Sequence, residues 1–164
     1  MTLLESFQWL QDMQLATELR ESVYMFPLLE GTHLLGLALS AGLIIFTDMR
    51  LVGVWFRHVP VPDILHQLRP WVLGGFVATL VSGIVLFWAE AASMITNPAF
   101  LLKLVFILLA GINALIFEAK FGKRVTEWSN QLAFPTGVKF AGWTSLTLWV
   151  GVIAFGRLIP YFPK

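Results

Sequence analysis

Four stretches of the chain are almost uninterruptedly apolar, over 23–47, 70–88, 98–117 and 140–159, and polar residues gather between them. A hydrocarbon layer about 30 Å thick needs roughly 20 helical residues at about 1.5 Å each, so all four are long enough to cross it. Pro70 and Pro98 open the second and third stretches and Pro160 follows the fourth, positions where a missing N–H does least harm to a helix. Ahead of the first stretch, Leu3, Phe7, Leu10 and Met13 recur at helical spacing opposite Glu5, Gln11 and Asp12. That pattern predicts an amphipathic helix over about 3–20, lying in the membrane interface as a short anchor or cap. The two long polar connections, 48–69 and 118–139, read as loops punctuated by Pro60, Pro62 and Pro135. With no internal repeat or linker, the expectation is one all-α domain over residues 1–164, an integral membrane four-helix bundle.

Composition makes lipid the natural solvent. The 164 residues are 57% hydrophobic with a mean hydropathy of +0.77, more apolar surface than one globular core of this size can hide. Charged residues make up only 13% and the net charge is +1, which argues against a nucleic-acid partner. The absence of cysteine excludes disulfides, thiolate metal sites and cysteine nucleophiles. The first 21 residues carry Glu5, Asp12, Glu18 and Glu21 against Arg20, unlike the basic start of a cleavable signal, so the N-terminus is expected to be retained.

Basic residues then set an orientation, because Lys and Arg resist translocation. Arg50, Arg57, Arg69, Lys120, Lys123, Arg124 and Lys139 fall in the two loops, against Arg20, Arg157 and Lys164 on the opposite face. Both loops are therefore expected in the cytoplasm and both termini outside.

The chemistry has to come from polar groups that a membrane makes costly: Glu30, His33, Lys103, Asn113 and Arg157. Counted from the outer end, Glu30 and His33 lie about 10 and 15 Å down the first span, Lys103 about 7 Å down the third and Arg157 about 4 Å down the fourth. Those four share the outer half, whereas Asn113, Asp48 and Glu118 belong to a separate inner region. Glu30 and His33 are i, i+3 neighbours able to pair, and Gly36 with Ser40 leave space for something flat beside the imidazole. The same glycines, with Gly75, Thr79 and Gly83 on the second span and Ala110 and Ala114 on the third, also suit plain helix packing. Three readings stay open for His33: a member of a desolvated charge network that locks the bundle, a heme b axial ligand with Lys103 or Arg157 neutralising propionates, or part of a small-solute or proton pathway. His58 and His66 sit in the inner loop about 20 Å from His33 in depth, so neither completes a two-histidine heme site. No spacing supports a closed zinc or copper site, a phosphate-cradling loop or a Ser–His–Asp arrangement.

The segments FPLLEGTHLLGLALSAGLIIFTDMRLVG, LRPWVLGGFVATLVSGIVLFWAEA and NPAFLLKLVFILLAGINALIFEAK resemble an uncharacterised bacterial family of four-span membrane proteins, over nearly the whole chain. The shared features are Glu-x-x-His in the first span, Asp-x-Arg-Leu at its end, Arg-Pro-Trp at the second span and Asn-Pro-Ala-Phe-x-x-Lys opening the third. More distantly the layout is similar to copper-resistance D-type proteins and HemJ-type protoporphyrinogen oxidases, on His33, Arg50 and Lys103 alone. That resemblance implies a bacterial inner membrane and heme- or tetrapyrrole-associated redox work around His33. The competing expectation is a non-catalytic membrane subunit or assembly factor, with a homo-oligomer or membrane-protein partner packed on some of the seven tryptophans. Whether the chain is an enzyme stays open.

Overall fold

The computed structural model describes residues 2–56, 58–129 and 134–162, and the basic residues Arg57 and Lys164 lie outside them. The chain is helical throughout these segments, in the order α1 (Leu3–Gln11), α2 (Gln14–Glu21), α3 (Met25–Val52), α4 (Val61–Ala89), α5 (Ala91–Thr96), α6 (Pro98–Lys120), α7 (Val125–Trp128) and α8 (Thr136–Leu158). The four long helices α3, α4, α6 and α8 are the apolar ones, and together they make the four-helix membrane bundle.

All four spans are longer than the apolar pattern predicts, α4 by the most. At 28 and 29 residues, α3 and α4 reach about 42 and 44 Å, past the hydrocarbon on at least one side. The polar residues 48–52 and 61–69 are helix, not loop, because hydropathy marks where lipid stops and a helix continues as long as its backbone hydrogen bonds do. What stops α3 is Gly53, whose φ of 84° places it in the left-handed region that favours glycine, with its N–H returned to Arg50 O. Pro62 sits in the first turn of α4, and Pro70 lies inside that helix instead of opening it. The amphipathic segment is likewise two helices, with a break at Asp12 and Met13. Thr2 and Glu5 form a reciprocal capping box at its start, which makes the first helix self-supporting.

The N-terminal pair packs over one end of the bundle, against α5 and the adjoining ends of α3 and α4. Ala16 is fully buried there, Arg20 donates to Ala89 O at 3.0 Å, and Gln11 Oε1 accepts from Ala92 N at 2.9 Å. We call this the capped end, and the opposite one, with Arg69, Lys120 and Lys139, the basic end.

Packing among the spans follows the small residues. In α3 and α4, Gly36 and Gly75 bring the backbones together: a Cβ on Gly36 would lie 2.7 Å from Thr79 Oγ1 and 3.0 Å from Gly75 O. In α6 and α8, the Phe106 ring fills the place of a Gly151 side chain. The two pairs meet where α3 touches α8, around a core of Ala41, Ala110, Trp149 and Val152. Among the described residues no close backbone approach joins α4 to α6 or α3 to α6. Side chains bridge α4 and α6 instead, with Phe87 stacked on Phe100 at 5.6 Å near the capped end and Arg69 facing Glu118 at 3.5 Å near the basic end.

Candidate functional site around His33

His33 is half-buried on α3, two turns below the capped end. Its Nδ1 stands 2.9 Å from Thr79 O and 3.2 Å from Ser82 Oγ, both on α4. A carbonyl can only accept, so Nδ1 carries the proton and donates. Ser82 spends its own hydroxyl proton on Ala78 O at 2.6 Å, leaving its oxygen to accept from the ring as well. In the neutral imidazole the lone pair then belongs to Nε2, which makes no hydrogen bond among the described residues. Gly83 permits this pose, because a Cβ there would meet the ring carbon Cε1 at 2.9 Å.

Lys103 comes from α6, half-buried and within electrostatic range of His33. Its side chain lies along Gly156 of α8, where an added Cβ would sit 3.7 Å from Nζ. Position and reach follow from the start of α6. Asn97 is buried at 2% exposure, caps the helix by accepting from Ala99 N and Phe100 N, and donates to Ile159 O at 3.0 Å. The Asn-Pro-Ala-Phe-x-x-Lys motif is thus a cap, a first-turn proline and a lysine set at a fixed depth against the end of α8.

The four residues named from sequence separate into two kinds. His33 and Lys103 are half-buried and within electrostatic range of each other. Glu30 and Arg157 are exposed, and the side chain of neither makes a hydrogen bond or ion pair among the described residues, so the expected Glu30–His33 pair does not form. The imidazole's hydrogen-bonding partners are on the second span, not the third or fourth, because α4 is the helix that the Gly36 face admits. For the same reason the expected flat space over Gly36 and Ser40 is filled: the Gly75 backbone occupies it, and Ser40 is fully buried, donating to Gly36 O at 2.9 Å. A shallow groove runs nearby between Thr32, Leu35, Leu39, Gly74 and Ala78, but His33 does not line it. Thr79 and Gly83 were visible in sequence only as packing residues, and Ser82 carried no signal, since its role depends on facing another helix.

A second polar region lies toward the basic end. Asn113 donates to Ala141 O at 3.0 Å, tying α6 to α8. Asp48 is 6% exposed on α3 and faces the Ser145 hydroxyl of α8. Arg50, at 8% exposure, donates through Nε to Val59 O at 2.9 Å and lies over the Phe134 ring at 4.8 Å. That contact clamps the loop after α3; it does not reach His33's half of the bundle. Among the described residues no group of three or more His, Cys, Asp or Glu side chains could hold a metal ion.

No curated protein and no solved structure matches the chain. One family model does, from the second N-terminal helix to the end of the bundle, so that both polar regions and all four spans lie within it. Its match to residues 18–162 places the chain in DUF6644, a family of unknown function.

Proposed function

We propose that this is a multi-pass protein of the bacterial inner membrane whose capped half binds a heme-type tetrapyrrole through His33, with the capped end facing outward. One observation carries the reading. His33 donates Nδ1–H to the Thr79 carbonyl, the arrangement that fixes a ring's tautomer and orientation and leaves Nε2 free as a donor to iron. His33 would hold such a group through Nε2, and Lys103, which acts on the ring electrostatically, would supply a cation for its carboxylates. A bound group would have to approach the ring from the flank away from α4. The α4 side of the ring is closed by Gly83, whereas toward α6 there is no close backbone approach. When bound, such a group supplies one-electron redox chemistry; the protein's own part is to orient the imidazole, offer Lys103 to an anion, and roof the site with Phe87 and Phe100.

A second reading has its own support, since both Nδ1 partners are on α4 and His33 therefore also works as a tie between α3 and α4 in a non-catalytic subunit. The visible spectrum of the protein purified from heme-sufficient cells separates them. The heme reading expects a Soret band that His33→Ala abolishes while the bundle still inserts, and that Lys103→Met weakens. A colourless wild type that takes up no added hemin, with His33→Ala only lowering the melting temperature, would leave the tie as the function of this residue.

A further inference from the structure

Asp48 is at odds with its surroundings. It is 94% buried within the helices, and its Oδ2 is a buried polar atom with no hydrogen-bond partner. The surroundings are apolar on both sides along the bundle: Ala41, Ala110 and Trp149 toward the capped end, and Leu51, Val138 and Trp128 toward the basic end. From α8 the facing groups are Gly142 and the Ser145 hydroxyl, neither of them charged.

Among the described residues no cation is paired with it. Arg50, two residues along the same helix, is committed to Val59 O and the Phe134 ring. Arg69 of α4 faces Glu118 of α6, while Asp63 and His66 of α4 and Lys139 of α8 are exposed at the surface. A carboxylate that is ionised, desolvated and unpaired is among the most unfavourable groups a membrane bundle can hold. A carboxylic acid in the same place needs little more than one hydroxyl partner, and the Ser145 hydroxyl across the contact is the group placed to become it.

We propose that Asp48 is a proton-binding site within the membrane, and that its proton holds the seam between the two helix pairs closed. The location gives the second half of that statement. Asp48 lies on the α3–α8 contact, which is the backbone contact joining α3/α4 to α6/α8. Gly142 seats the Asp48 backbone there, at 3.4 Å from its Cβ position. Loss of the proton places an unpaired negative charge in that contact, and the charge is relieved by water entering between α3 and α8 from the nearby basic end. The step is a simple exchange: the carboxyl O–H breaks, the electron pair stays on oxygen, and the proton passes to water. At fifteen residues from His33 on the same helix, about 22 Å, the site is separate from the one proposed above and does not depend on it.

Infrared difference spectroscopy of the full chain in lipid nanodiscs tests this across a pH titration. The wild type is expected to show a protonated-carboxyl C=O band that vanishes on raising the pH and is missing in Asp48→Asn. Ser145→Ala gives an arm with the carboxyl retained that does not depend on insertion of the Asp48→Asn variant, and loss of the facing hydroxyl should move the band to higher frequency. Backbone hydrogen exchange over 141–145 should speed up as the band disappears in the wild type, and stay flat with pH in Asp48→Asn, whose amide cannot ionise. The proposal is overturned if no such band separates wild type from Asp48→Asn, if Ser145→Ala leaves the band unmoved, or if the signal responds to sodium ion at constant pH instead of to protons.

Discussion

At the scale of single residues, what surrounds a glycine decides its worth more than the helix it sits in. Gly31 and Gly83 are both helical, so alanine should gain up to about 1 kcal/mol at either on propensity alone. A Cβ on Gly31 meets nothing within 4 Å, whereas on Gly83 it meets the His33 ring at 2.9 Å. Gly31→Ala is therefore expected to leave thermal stability unchanged or slightly raised. Gly83→Ala should lower it by about 1–3 kcal/mol of overpacking and push the imidazole off Thr79. Equal melting temperatures for the two variants would mean that the ring is not held where the structure places it. His33 itself stood out in the sequence as an imidazole inside an apolar stretch. Its partners did not, because a serine and a backbone carbonyl become notable only when another helix turns them toward a ring.

At the scale of elements, the N-terminal helices are attached to the bundle in two different ways. α2 contributes Ala16, which is fully buried, and Arg20, which satisfies Ala89 O at the end of α4. α1 has no buried residue and leans chiefly on α5, through Gln11 on Ala92 N, and on the end of α4, through Phe7 packed edge-on against Phe87. Deleting residues 2–11 should accordingly leave the four spans inserted and the helix content of the remainder intact, with increased hydrogen exchange confined to α5 and the adjoining end of α4. Failure of the shortened chain to insert would show that α1 is needed for assembly and is not only a cap. The amphipathic period was plain in the sequence over this whole region. The break at Asp12 and Met13 was not, since both sides keep the same apolar stripe and only docking onto α5 requires the turn.

For the whole molecule, the arrangement is two close helix pairs joined along α3 and α8. The pairing explains why the polar residues sort as they do: His33 lies within one pair, bonded to α4, and Asp48 lies on the join. The bias of basic residues toward one end predicts sidedness as well. Reporter domains inserted after Arg57 and fused at Lys164 should be cytoplasmic and external respectively, in a protease-protection or reporter-activity assay. The reverse placement, or both on one side, would refute that map.

What the sequence determined by itself is everything that a local pattern can encode: four spans, a helical cap, a polar half on each side of the bundle, and the residues at which chemistry could occur. Lipid selects those features residue by residue, because any long apolar run must satisfy its backbone internally and any charge inside it needs a reason. Only the tertiary structure decided which of the candidates meet. Glu30 and His33 share a helix face and yet do not pair, because the imidazole is drawn to Thr79 across the Gly36–Gly75 contact. Asp48 read as the start of a loop and is instead buried at the seam, since α3 runs on to Val52 and α8 packs over it. Partner choice depends on small residues that lie far apart in the chain and match only when two helices approach, which no single helical period can reveal.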